Sequence, residues 1–156
     1  MPADDNEQIL RDINALPDDN ALLDAMRDGS IFMISVERLA PERLTERVCL
    51  ACVRRNGANL RFVPAPVRSH AFDRRAALAS GWAFGYLEPE DKTEAFLLEV
   101  MASFEADVDI AMLGEEWAVP NALLASGAVA AAAVKSSGAK EAQKWLATRD
   151  PPYFIK

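Results

Sequence analysis

Asn56-Gly57-Ala58-Asn59-Leu60-Arg61-Phe62-Val63-Pro64 aligns with Ser80-Gly81-Trp82-Ala83-Phe84-Gly85-Tyr86-Leu87-Glu88, and the two leading glycines lie 24 residues apart. An earlier copy, Asp28-Gly29-Ser30-Ile31-Phe32-Met33-Ile34-Ser35-Val36, starts 28 residues upstream of the first. A degenerate one, Phe104-Glu105-Ala106-Asp107-Val108-Asp109-Ile110-Ala111-Met112, falls 24 residues downstream of the second. The copies run through Pro-marked turns into helix starts: Pro41 before Thr45, Pro66 before Ser69, Pro89 before Thr93. Near-constant spacing of this size signals stacked units, none of which buries its apolar face without its neighbours. The expected fold is all-α, an array of short helical hairpins resembling an α-solenoid. The plain alternative is an irregular helical bundle.

Working outward, helix punctuation recurs. Asp4 and Asp5 are expected to cap a first helix with Ile9, Ile13 and Leu16 on one face, ended by Pro17. Asp18 and Asp19 open a second carrying Leu22, Leu23 and Met26, with Gly29 as its left-handed stop. Thr45 is an N-cap signal before the stripe Val48, Cys49, Cys52, Val53, which Gly57 ends. Ser69 plays that part for Phe72, Ala76 and Ala79, with Gly81 as the stop. Thr93 plays it for Phe96, Leu97, Val100, Met101 and Phe104. No run alternates with period two, so strands have no support. One domain is expected: a capping helix over 1–23, degenerate units over 24–112, Ala-rich helices over 113–150 and an extended tail over 151–156.

The stretch from Ala51 to Pro64, A-C-V-R-R-N-G-A-N-L-R-F-V-P, resembles a short bacterial repeat of unknown function whose units read A-V-x-x-N-G-x-x-L-x-x-A/V-S/P. Ala79–Glu88 follows the same pattern with Ser80 in place of Asn. The resemblance implies a helical array and brings no chemistry with it.

Composition excludes more than it assigns. The 156 residues are 51% hydrophobic and 26% charged, which is ordinary for a globular chain. The acidic start lacks the basic n-region and apolar core of a secretory signal. Trp117–Val134 is uncharged but rich in Ala and interrupted by Pro120 and Gly127, so a buried helix is expected there and not a membrane span. Two cysteines without a partner pair suit a reducing compartment, and a soluble, cytoplasmic protein is the expectation.

Candidate chemistry is sparse. Cys49 and Cys52 form a C-x-x-C, but a closed zinc site needs four ligands and only His70 adds another N or S donor; core packing is expected, with no metal and no cofactor. His70 and Asp73, three apart, are the one candidate acid–base pair for a small hydrolase or transferase. The same alternative could use the carboxylates of 88–116, namely Glu88, Glu90, Asp91, Glu94, Glu99, Glu105, Asp107, Asp109, Glu115 and Glu116. They lack the spacing of a calcium loop and read as a solvated acidic face. No phosphate-cradling glycine motif and no nucleophile elbow is present.

Charge by segment is more informative than the total of −7. Residues 1–37 hold two bases and nine acids, 38–75 nine arginines and three acids, 76–116 one lysine and ten acids, and 117–156 five bases and two acids. Surface ion pairs contribute only about 0–1 kcal/mol each, so stability alone hardly explains the segregation. The residues expected to meet a partner are Arg54, Arg55, Arg61, Arg74 and Arg75, with Trp82 and Tyr86. Trp82, Phe84 and Tyr86 stand at i, i+2 and i+4 and cannot all point inward. The expected function is non-catalytic: protein–protein interaction, in concrete form an immunity- or antitoxin-like protein that blocks a basic toxin or effector. The alternative for the arginines is a phosphate-bearing ligand, while flanking acids disfavour nucleic acid.

Overall fold

A computed structural model describes residues 3–28, 35–104, 108, 111–133, 144, 147 and 148. Every element among them is helical and none is a strand. The helices are α1 (Ala3–Asn14), α2 (Asp19–Asp28), α3 (Glu46–Arg55), α4 (His70–Ala79), α5 (Glu94–Ser103), α6 (Asn121–Leu124) and α7 (Gly127–Ala133). Short 3₁₀ turns join them, and no helix among the described residues is long and apolar enough to cross a membrane. Packing groups the chain into two compact units, Met1–Ala76 and Ala77–Lys156.

The caps form where the sequence places them. Thr45 Oγ1 accepts the Val48 N–H at 3.4 Å, Ser69 Oγ that of Phe72 at 3.0 Å, and Thr93 Oγ1 that of Phe96 at 3.2 Å. Asp18 Oδ1 accepts from the Ala21 N–H at 2.9 Å. Each bond satisfies one of the donors that a helix start leaves open. Helices α3, α4 and α5, ten residues each, begin at Glu46, His70 and Glu94. Their ends are alike as well. Asn56 and Ser80 are both extended, at φ −149°, and each leads into a six-residue 3₁₀ turn, Gly57–Phe62 and Gly81–Tyr86.

In the first unit α2 packs on α3, and the 3₁₀ turn Gly57–Phe62 folds back on α3. Three side-chain bonds fix the direction. Thr45 Oγ1 donates to Asp19 Oδ2 at 2.7 Å, Arg47 donates to Asn20 Oδ1 at 3.0 Å, and Arg55 donates to the Met26 carbonyl. Start therefore meets start and end meets end, so α2 and α3 run parallel. Their buried faces supply Leu22, Met26, Val48, Cys49, Leu50, Cys52 and Val53, joined by Val36, Leu60 and Phe72. Asn59 stitches this core. Its Oδ1 accepts the Val36 N–H and its Nδ2 donates to the Cys52 carbonyl, both at 3.1 Å in a buried setting. Asn59→Ala strands the Val36 donor, and a loss of about 2 kcal/mol in urea unfolding is expected.

In the second unit α5 packs on α7 and on the turn Gly81–Tyr86. Phe84 meets Phe96 at 6.2 Å between ring centroids, and Phe104 meets Trp117 at 5.1 Å. Met112–Glu116 forms a π-helical turn that closes with Trp117 N–H on the Met112 carbonyl at 3.0 Å. Ala118 then adopts φ +50°, which a non-glycine residue holds at a cost of about 1–2 kcal/mol.

Several expectations are corrected. Helix α1 begins at Ala3, so Asp4 and Asp5 lie in its first turn and not before it. Ile9 is exposed, and Leu16 lies past the helix end, leaving Ile13 as the buried residue of that face. Ala77, not Ala79, is the second buried alanine of α4, because the buried arc of this helix runs over Phe72, Asp73, Ala76 and Ala77 and leaves Ala79 at its edge. The expected single helix over Trp117–Val134 is divided into α6 and α7, since Pro120 and Ser126 each begin a new turn. Gly81 is not a left-handed stop: α4 is ended by extended Ser80. The Gly29 stop, most of the copies at 28–36 and 104–112, the Asp107–Asp109 stretch and the tail 151–156 lie outside the described residues.

Candidate interaction surfaces

The α2–α3 pair places two helix C-termini side by side, at Met26–Arg27 and Arg54–Arg55. Each end carries about half a negative charge, so parallel packing concentrates about one. Arg55 answers part of it by donating to the Met26 carbonyl. Around that junction lies a cleft of about 530 Å³ lined by Leu23, Met26, Leu50 and Ala51 on its apolar side and by Arg27, Arg47, Arg54, Arg55 and Arg75. Arg27 pairs with Asp24 at 3.3 Å, and Arg75 with Glu46 at 2.5 Å. Arg54 is exposed and makes no hydrogen bond or ion pair among the described residues.

Three of the five expected arginines, Arg54, Arg55 and Arg75, thus share one cleft. Arg61 and Arg74 do not line it. Arg61 is exposed on the turn Gly57–Phe62 with its guanidinium 4.5 Å from the centre of the Phe62 ring, and Arg74 is exposed on α4. Sequence reasoning missed Arg27 and Arg47 as members. Arg27 sits in the last turn of α2, where a base complements the helix end, but only the parallel pairing of α2 with α3 brings it to the others.

The aromatic cluster is divided. Phe84 is fully buried, whereas Trp82 is 44% and Tyr86 38% exposed. The Trp82 indole N–H donates to Glu116 Oε2 at 3.2 Å, which orients the ring beside a carboxylate. Glu116 was legible only as part of an acidic run; its contact with Trp82 depends on the π turn that precedes Trp117.

Asp73 is buried and both its oxygens accept from Arg68, at 3.1 Å from Nε and 2.8 Å from Nη2. His70 is exposed in the first turn of the same helix. The carboxylate is therefore engaged by a bidentate guanidinium.

Cys49 and Cys52 are both fully buried. Burial pushes the Cys49 thiol from 9.0 up to about 11. It pushes Cys52 to about 12, with Cys49 adding to the rise and Arg55 opposing it. Among the described residues no three His, Cys, Asp or Glu side chains gather to hold a metal. Because the folded thiols release their protons later than unfolded ones, the unfolded state binds fewer protons above pH 9. Their contribution is fully present below that pH and is lost as pH rises toward 11 and 12. The denaturation midpoint should fall across that alkaline range, and a Cys49→Ala/Cys52→Ala chain should show a shallower fall. At pH 8 the native thiols should resist an aromatic disulfide reagent that labels the unfolded chain at once. No known protein family, curated protein or solved structure matches the chain.

Proposed function

We propose that this protein is a non-catalytic protein–protein interaction module that uses segregated charge to steer a partner and exposed aromatic rings to anchor it. The observation that carries the proposal is Trp82: a large ring, 44% exposed, held beside the Glu116 carboxylate within a segment of one lysine and ten acids. Trp and Tyr are enriched at interface hot spots, and a surface of one sign steers a partner of the other. The acidic setting selects a basic partner, and the concrete form is an immunity- or antitoxin-like protein that covers a basic toxin or effector. We further propose that the units starting near Glu46, His70 and Glu94 belong to a helical-repeat array; the equal lengths of their helices and the matching corners at Asn56 and Ser80 support it.

The test is calorimetric titration with a basic protein encoded beside this one, at low and high salt. Binding should weaken as salt rises, because exposed charges are screened beyond about 10 Å at 0.1 M. Trp82→Ala should lower affinity about 30-fold, the equivalent of about 2 kcal/mol. Affinity indifferent to both salt and Trp82 removes the proposal.

A further inference from the structure

The arginine cleft of the first unit is positively charged beyond what its own structure requires. Arg27, Arg54 and Arg55 face two helix ends that together carry about one negative charge. Arg47 and Arg75 add two further charges, and the ion pairs of the cleft arginines with Asp24 and Glu46 remove two. Among the described side chains a surplus of about two positive charges remains after the dipoles are answered. Among the described residues no acidic side chain lines the cleft and Arg54 has no partner.

The other half of the cleft is aliphatic: Leu23, Met26, Leu50 and Ala51. A bare phosphate has no use for that surface. Phosphate sites are also built from helix N-termini, whose N–H groups point at the anion, whereas this cleft runs along α2 and α3 to their C-termini, whose carbonyls do not. Among the described residues no aromatic ring lines it, so they offer nucleic-acid bases nothing to stack on. Guanidinium groups around an aliphatic floor match carboxylates around an aliphatic side chain.

We infer that the α2–α3 cleft docks an acidic segment of a partner protein, with an aliphatic residue seated against Leu23, Met26, Leu50 and Ala51 and flanking carboxylates on Arg47 and Arg54. This rests on the protein being an interaction module but not on the Trp82 surface, which selects a partner of the opposite sign. The volume of about 530 Å³ suits one anchoring side chain and its neighbours.

The test is fluorescence anisotropy on the full chain with a labelled short peptide in which glutamates and aspartates flank a central Leu-Leu pair. Comparators are the same peptide with Ser-Ser at its centre and a phosphoserine peptide of equal charge without the pair. The Leu-Leu peptide should bind saturably, at least about tenfold more tightly than either comparator. Arg54→Glu should weaken it by a similar factor and Trp82→Ala should leave it unchanged. Arg54→Gln provides a milder variant should the reversal disturb folding, and it should also weaken binding. Absent saturable binding, equal binding of the Ser-Ser peptide, tighter binding of the phosphoserine peptide, or full affinity in both Arg54 variants each overturn the inference. Such a failure leaves the salt and Trp82 dependence of the basic partner intact, so the two proposals fall separately.

Discussion

Gly81→Ala should destabilise the protein by about 3 kcal/mol, at the upper end of what one added methyl costs in a packed core. A Cβ at Gly81 meets the Trp117 ring at 2.0 Å, far inside contact distance. The indole cannot swing away cheaply, because Trp117 is 1% exposed and packed on Phe104. Its backbone is pinned too: a Cβ at Gly85 would lie 2.7 Å from the Trp117 carbonyl and 2.9 Å from Ala118 Cβ. The melting temperature should fall by roughly 10 °C. Two companion variants isolate the cause. Gly81→Asn should be at least as damaging as Gly81→Ala, whereas a left-handed glycine would favour Asn over Ala. Trp117→Ala should cost about 3–5 kcal/mol alone, but combined with Gly81→Ala the loss should be clearly smaller than the two added, since the clash has gone. Additive losses, or a well-tolerated Gly81→Asn, would rule out the close approach as the reason for glycine here.

Asp73→Asn is expected to cost about 3 kcal/mol, the scale of breaking a buried ion pair from one side. The side chains of Arg68 and Asp73 are only 16% and 4% exposed, and the guanidinium would lose the charge of the carboxylate it grips at both oxygens. Asp73 also lies in the first turn of α4, where a negative charge is favoured by the helix end. Replacing both partners, as Arg68→Met/Asp73→Leu, should recover most of the loss, because a well-packed apolar pair needs no desolvated charge. Urea midpoints of the single and double variants decide the matter. If Asp73→Asn unfolds at the wild-type midpoint, the pair contributes no stability.

The legible part of the fold is the part written locally. Thr45, Ser69 and Thr93 bond to amides three residues away, so the cap can be read from a few adjacent letters. The burial of Cys49 and Cys52 follows from their place on a stripe with Val48 and Val53, which the 3.6-residue period exposes directly. The roles of individual aromatics and glycines were not legible. Trp82, Phe84 and Tyr86 have equal claims on the core, and only the meeting of Phe84 with Phe96 selects which one goes inside. Gly81 answers to Trp117, and no local rule links residues so far apart in the chain.

The sequence by itself determined that the described chain is helical, where several helices begin, and that its arginines and carboxylates occupy separate stretches. Tertiary structure alone decided that α2 and α3 lie parallel, and hence that Arg27 and Arg47 join Arg54, Arg55 and Arg75 around one aliphatic cleft. The physical reason is range. Capping and helical periodicity act over one or two turns, while the contacts that gather charges into a surface, such as Arg75 with Glu46, depend on how intervening loops return the chain.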